Sequence, residues 1–251
     1  MGVANVATPE RIVDHNGLSR EQIDLIQRFE ANFNAVEHSL HVALGIEEYE
    51  KFTHLVRNYA KSHAGWGDAE LLIRIAKIRN VIVHDKTEPF HYPVVPTPAI
   101  NEELRKCKER LINPARALPT FQRSVETISV HDTLTRVLKT IDHREYSQFP
   151  VYEDKRFRGM LTENGVTRWL ARHVVRTLSL VELDDIFVLH VLQSEEVRKN
   201  HQFVPGDMRV DEVSALFAKQ ALLEAVLVTA SGKQTEDLLG IATRWDILHL
   251  A

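Results

Sequence analysis

The stretch AVLVTASGKQTEDLLGIATRWDILHL, residues 225–250, decides the fold of the C-terminal half of this chain. It predicts a buried strand in AVLVTA, a turn in SGKQTED, a second strand in LLGIAT and a helix in RWDILHL. The same order occurs earlier, because FPVYED (149–154) and FRGMLT (157–162) predict two strands and ENGVTRWLARHV (163–174) a helix. A helical pattern of apolar residues precedes each repeat: Leu134, Val137, Leu138 and Ile141, then Val213, Leu216, Phe217 and Leu222. We interpret the pattern as an internal duplication of a small α/β unit.

These repeats resemble a tandem pair of CBS domains over about residues 118–251. The similarity lies in SQFPVYEDKRFRGMLTENG (147–165) and LEAVLVTASGKQTEDLLGIATRWDIL (223–248), where a strand ends in glycine, two apolar residues and threonine before a helix. The resemblance implies a regulatory adenine nucleotide (AMP, ADP, ATP or a cyclic dinucleotide) in the cleft between the copies, with no required cofactor. It also implies a homodimer. An unrelated α/β duplication is the alternative.

The second copy carries the Thr-x-x-Asp arrangement that the CBS family uses for phosphate and ribose, in Thr243 and Asp246. Thr243 and the first amides of the following helix can hold a phosphate, to which Arg244 would add charge. The Asp246 carboxylate can accept hydrogen bonds from both ribose hydroxyls. In the first copy Thr162 matches the threonine, but Gly165 replaces the acid, so we expect one strong and one degenerate site.

An alternative assigns Thr243 and Asp246 to helix capping alone, because threonine and acidic residues often begin helices. Trp245, which lies between Arg244 and Asp246, is interpreted as a packing residue.

Upstream of residue 118 the apolar spacing is helical. It predicts helices from Ser19 to Gly45, from Glu47 to about Ser62, from Asp68 to about His84 and from about Asn101 to Leu111. The proline-rich KTEPFHYPVVPTPA (86–99) predicts an extended connection, and residues 114–119 a linker. We therefore predict an α+β protein. An all-α helical bundle (17–115) precedes a tandem β-α-β-β-α pair (119–251), with copies at about 119–173 and 174–251.

The third helix ends in KIRNVIVHDK (77–86), in which Arg79, Asn80 and His84 resemble the R-x4–6-H motif of HEPN domains. The resemblance covers about residues 17–115 and implies a metal-independent endoribonuclease at a dimer interface. His84 would activate the RNA 2′-hydroxyl, Arg79 would hold the phosphate and Asn80 would orient His84. Arg79 and His84 are roughly 140° apart on an ideal helix, so they converge only if the last turn loosens or a partner chain contributes. A protein-recruiting role and a purely structural one are the alternatives.

Composition narrows the function classes. The chain has 251 residues and a formal net charge of −4, and its first 118 residues carry 15 Lys+Arg and 16 Asp+Glu, so no basic excess attracts RNA. The single cysteine, Cys107, excludes an internal disulfide and a Cys-rich zinc site. His38 and His41 lack an evident third ligand, so we expect no metal site.

No run of about 18 apolar residues is present, so we expect a cytoplasmic protein without membrane contact. The integrated prediction is an adenine-nucleotide sensor whose ligand state regulates a HEPN-like ribonuclease domain. The alternatives are a non-catalytic module that recruits a protein partner, and a CBS scaffold with an empty cleft.

Overall fold

The computed structural model describes residues 17–84, 92–144, 146–177, 183–193 and 199–250, without the side chains of residue 84 and residues 174–177. The protein is mixed α+β, and its chain divides into two compact units with the boundary after Pro114. In the described ranges, no helix is both long enough and apolar enough to cross a bilayer.

The described residues of the N-terminal unit form four helices: α1 (Arg20–Leu44), α2 (Phe52–Ser62), α3 (Ala69–His84) and α4 (Pro98–Ile112). Helix α1 packs against α2 and α4, and α3 packs against the same two helices, around one apolar core. Ser19 caps α1 in a capping box with Gln22, and Gly45 ends it in the left-handed conformation, with φ 64°. The two helix ends predicted there are confirmed.

Two helices begin elsewhere than their patterns predicted. Helix α2 begins at Phe52 instead of Glu47, because residues 47–49 are exposed and a helix there would bury no apolar surface. Helix α4 begins at Pro98, before the predicted Asn101. Thr97 caps it by accepting a hydrogen bond from the Ile100 amide, and proline suits the first helical position.

In the part of the C-terminal unit that the structure describes, there are two three-stranded sheets of identical topology. The elements follow in chain order: α5 (Ala117–Thr120), β1 (Ile128–Ser129), α6 (Leu134–Arg144), β2 (Gln148–Glu153), β3 (Arg156–Thr162), α7 (Glu163–Thr177), α8 (Val188–Gln193), β4 (His201–Pro205), α9 (Val210–Lys219), β5 (Ala225–Thr229), β6 (Gly240–Thr243) and α10 (Arg244–Leu248). In each sheet the first strand is parallel to the second, and the second is antiparallel to the third. The predicted duplication is therefore present as two β-α-β-β-α copies. Leu222 lies beyond the end of α9 and is 61% exposed, so its place in the apolar pattern was wrong.

The segment that precedes the first copy packs on the second copy. The Ala117 amide donates to the Met208 carbonyl at 2.7 Å, and the Leu118 amide donates to the Gly206 carbonyl at 2.8 Å. Ala117 and Phe121 are buried in the core of the second sheet. Residues 115–118, predicted to belong to the helical bundle or the linker, thus form part of the C-terminal unit.

The segment that precedes the second copy packs, conversely, on the first. The Leu134 amide donates to the Ile186 carbonyl at 2.7 Å, and Val188, Val191 and Leu192 lie in the core around the first sheet. The strands and helices of the second copy therefore begin at His201, not near residue 174. Each copy completes its core with a leading segment from the other, an arrangement that we call the segment exchange.

Candidate functional site

A cavity of about 540 Å³ lies between the two copies of the C-terminal unit. Its volume falls within the range of roughly 300–1,000 Å³ that is usual for small-molecule sites. The first copy contributes residues 123–126, which lead into β1, and residues 146–148 at the start of β2. The second copy contributes Ile241, Thr243, Trp245 and Asp246 at the junction of β6 and α10.

Thr243 and Asp246 both line this cavity and also form the capping box of α10. The Asp246 Oδ2 accepts hydrogen bonds from the Thr243 amide at 2.7 Å and from its hydroxyl at 2.8 Å. The Thr243 hydroxyl in turn accepts from the Asp246 amide at 3.4 Å. The capping box thus holds the carboxylate at the cavity wall, and capping and binding involve the same two side chains.

Arg123 is a third participant, which the sequence pattern did not reveal. Its guanidinium donates to both oxygens of Asp246, at 3.0 Å from Nη1 to Oδ1 and 2.7 Å from Nη2 to Oδ2. The same Nη2 donates to the Ile241 carbonyl at 2.6 Å. Arg123 belongs to the leading segment of the first copy, so this ion pair joins that segment to the second copy.

The environment of Asp246 favours its charged form. Burial raises the pKa of its carboxyl, but hydrogen bonds from Arg123 and Thr243 outweigh that effect and hold the pKa below the ordinary value. Asp246 is therefore an anionic acceptor at neutral pH.

Arg244 does not line the cavity. Its guanidinium donates to the carbonyls of Phe217, Gln220 and Ala221, at 3.1, 2.9 and 3.0 Å, and it lies 5.6 Å from the centre of the Phe217 ring. It satisfies carbonyl groups at and after the C-terminal end of α9, where positive charge is favourable. Helix α10 is only five residues long, so its amides offer an anion little of the dipole that the sequence pattern had suggested.

Thr162, the equivalent residue in the first copy, is fully buried, and its hydroxyl accepts from the Gly165 amide at 3.0 Å. Asn200, 3% exposed, donates from its side-chain amide to the Met160 carbonyl at 3.1 Å. The equivalent carbonyl in the second copy, that of Ile241, instead receives Arg123. The first position therefore has a buried neutral amide where the second has the ion pair between Arg123 and Asp246.

Two aromatic side chains lie at the rim of the cavity. Trp245 is 69% exposed and Tyr146 is 43% exposed, and both line it. The interpretation of Trp245 as a packing residue was wrong, because most of its side chain is exposed, and the one described aromatic ring close to it is that of His249, tilted by 44° with ring centres 4.1 Å apart. Exposed aromatic faces beside a cavity suit a planar base.

The Arg79, Asn80 and His84 motif lies on α3, in the N-terminal unit. The Arg79 guanidinium covers the Phe33 ring of α1, 5.6 Å from its centre, and Asn80 is exposed. Helix α3 continues to His84, so the last turn does not loosen between Arg79 and His84. The His84 side chain itself lies outside the described part of the structure. Among the described residues, no group of three or more His, Cys, Asp or Glu side chains could hold a metal ion.

The family comparison identifies a CBS domain at residues 118–172. This match covers the first copy, and the second copy repeats its strand order and helix placement, so the C-terminal unit is supported as a CBS domain pair. No curated protein sequence matches the chain.

Part of this chain is similar to several solved structures. The CBS domain of a CBS-domain-containing membrane protein from Sphaerobacter thermophilus is 17% identical, with a TM-score of 0.44 over 61% of this chain and 98% of that one. A conserved CBS domain protein of unknown function from Thermoplasma acidophilum is 18% identical, with a TM-score of 0.43 over 55% of this chain and 70% of that one. The CBS domain pair of protein MJ0100, solved with 5′-methylthioadenosine and S-adenosyl-L-methionine, is 16% identical, with a TM-score of 0.42 over 55% and 95%.

Proposed function

We propose that the C-terminal unit binds an adenine nucleotide in the cavity between its two copies, and that this occupancy regulates the helical unit. The observation that carries the proposal is the meeting of Thr243 and Asp246, from the second copy, with residues 146–148 of the first around one cavity. CBS domains commonly bind adenine nucleotides, and a ligand that contacts both copies can favour one arrangement of them over another.

The cavity offers a different group to each part of a nucleotide. The Asp246 carboxylate accepts hydrogen bonds from the ribose hydroxyls. The exposed faces of Trp245 and Tyr146 stack with the adenine base. Binding needs neither a metal ion nor a further cofactor.

Calorimetric titration of the full chain with AMP, ADP, ATP and cyclic di-AMP tests this proposal. We expect saturable binding of at least one ligand, and we expect Asp246→Ala to abolish it. Because Asp246 also caps α10, Asp246→Asn serves as a second variant that retains a capping oxygen. Asp142→Ala is the matched control, since that side chain is 84% exposed on α6 and lies outside the cavity. Flat isotherms for wild type with all four ligands would refute nucleotide sensing.

For the helical unit we propose nucleotide-regulated, metal-independent RNA cleavage by a homodimer. The presence of Arg79, Asn80 and His84 on one helix supports it. Cleavage of labelled RNA should occur without divalent metal, change with bound nucleotide and disappear in His84→Ala. Intact RNA under all of these conditions would exclude cleavage and favour the recruitment of a protein partner. Light scattering would measure the dimer directly.

A further inference from the structure

The charge distribution around the cavity poses a problem for an anionic ligand. Of the lining residues that the structure describes, Arg123 is the one with a cationic side chain, whereas Glu126 and Asp246 are both acidic. A phosphate that enters this cavity meets two carboxylates and one guanidinium. Arg244, the cation that the sequence pattern had placed on the phosphate, donates instead to carbonyls around the end of α9.

The ion pair between Arg123 and Asp246 also occupies the ribose acceptor. The two carboxylate oxygens of Asp246 receive four donors, two from Arg123 and two from Thr243. Three of these donors reach Oδ2, which has no further lone-pair position, and one reaches Oδ1, so a single position on Oδ1 is left for the two ribose hydroxyls. A nucleoside can therefore place both ribose hydroxyls on Asp246 only after Arg123 has left it.

We infer that Arg123 switches between two positions and thereby selects the ligand. When the cavity holds no nucleotide, its guanidinium donates to the Asp246 carboxylate. When a nucleotide binds, the guanidinium moves to the phosphate of the ligand, and Asp246 becomes available to the ribose. This inference rests on the proposed nucleotide site and specifies its ligand class, an adenosine carrying a 5′-phosphate. A nucleotide replaces the carboxylate–guanidinium contact with a phosphate–guanidinium contact of the same kind. An uncharged nucleoside breaks the first contact and supplies nothing in exchange.

The position of Arg123 leaves its side chain room for this exchange. Its side chain is 43% exposed, so its guanidinium is not locked in the core. It carries one further anchor, the Ile241 carbonyl, and it follows the buried Phe121 by two residues. The backbone is therefore held near the cavity while the side chain remains able to turn.

The test compares AMP with adenosine on the full chain by calorimetry, in wild type, Arg123→Ala and Arg123→Lys. We expect wild type to prefer AMP. In Arg123→Ala the affinity for AMP should fall and that for adenosine should rise, so that their ratio drops about tenfold to hundredfold, as for loss of one charge-assisted contact. Arg123→Lys retains the charge without the bidentate fork, and it should recover part of the AMP preference.

The matched control is Arg105→Ala, which removes a similar bidentate contact, to Glu102, in the helical unit. It should leave the ratio unchanged. The inference is overturned if wild type binds AMP and adenosine equally, or if Arg123→Ala weakens both ligands by the same factor, which would indicate a structural role. In either case AMP binding that depends on Asp246 would survive, so that the proposed function stands. Absence of any binding to wild type would remove both.

Discussion

Replacement of Gly240 by alanine should destabilise the C-terminal unit by pushing the leading segment away from the second sheet. Gly240 begins β6 and pairs in an antiparallel bridge with Gln122. A Cβ atom at Gly240 would collide with the carbonyl group of Phe121, whose carbon would lie only 2.9 Å away. The position of a Cβ atom is fixed by the backbone and its neighbour here is also backbone, so no side chain can rotate to relieve the collision.

The magnitude follows from three contributions. Overpacking a tight contact costs roughly 1–3 kcal/mol. The hydrogen bond from the Ile241 amide to the Phe121 carbonyl, 3.3 Å long, is worth about 0.5–1.5 kcal/mol if it is lost. Replacing glycine restricts the unfolded chain and returns only about 0.4–1 kcal/mol. Because the collision is with backbone, we expect the upper part of the range, a net loss of about 2–4 kcal/mol.

Urea denaturation followed by circular dichroism measures this change as a lower midpoint with unchanged slope for the transition of the C-terminal unit. Gly67→Ala is the control, because that glycine has no neighbouring atom within 4 Å of an added Cβ. It should change the stability of the helical unit by less than about 1 kcal/mol. A Gly240→Ala free energy within about 0.5 kcal/mol of wild type would refute the reasoning, because the segment would then yield without cost.

Three further outcomes follow from the structure. Trp245→Ala should weaken AMP binding about fivefold to a hundredfold if its ring stacks on the base. Leu248→Ala is the control, because Leu248 is 71% exposed on the same helix but lies outside the cavity, and it should not weaken binding. Equal calorimetric affinities for the two variants would contradict base stacking. Because the pKa of Asp246 is lowered in the folded protein, its carboxylate stabilises the fold at a pH above the pKa of the unfolded carboxyl, and this stabilisation is lost as the pH falls through the lower folded pKa. Asp246→Asn should therefore reduce the loss of unfolding free energy at acid pH, measured by urea denaturation over a pH series. An unchanged pH dependence would assign that loss to other carboxyls. Burial, together with the nearby Asp68 charge, raises the pKa of the Cys107 thiol to about 12. Iodoacetamide at pH 8 should therefore label this thiol only after the protein has been unfolded, as measured by mass spectrometry. Rapid labelling of the native protein would contradict this prediction and show that the thiol is accessible.

The fold could be predicted where the sequence alternates long, regular patterns. The five-residue strand β5 is entirely buried, and α1 places an apolar residue every three or four positions, so both were recognised from sequence. Strand β1 has only two residues, too few for any periodicity, so the predicted β-α-β-β-α order implied a first strand but no local pattern located it. The segment exchange was also missed, because local patterns do not indicate which copy a segment will pack against.

The site could be predicted as far as local spacing determines it. Thr243 and Asp246 are three positions apart, so their shared position at the start of α10 follows from helix geometry. Arg123 is 123 residues from Asp246, and nothing in its neighbourhood marks it as a partner. Arg244 was assigned to phosphate from its place beside Thr243, but carbonyls around the end of α9 attract its guanidinium instead. Such competition is decided by tertiary structure.

The segment exchange has a consequence for evolution and for dissection of the chain. The CBS match at 118–172 encloses one repeat, yet it omits Val188, Val191 and Leu192, which complete the core of that repeat. It also begins just after Ala117, which is buried in the other core. A fragment cut at the boundaries of the repeat would expose the apolar surface that Val188, Val191 and Leu192 cover, and it would carry a leading segment without the second core on which that segment packs. The repeated β-α-β-β-α copy is thus smaller than the compact C-terminal unit, and each copy depends on the other for the leading segment that completes its core.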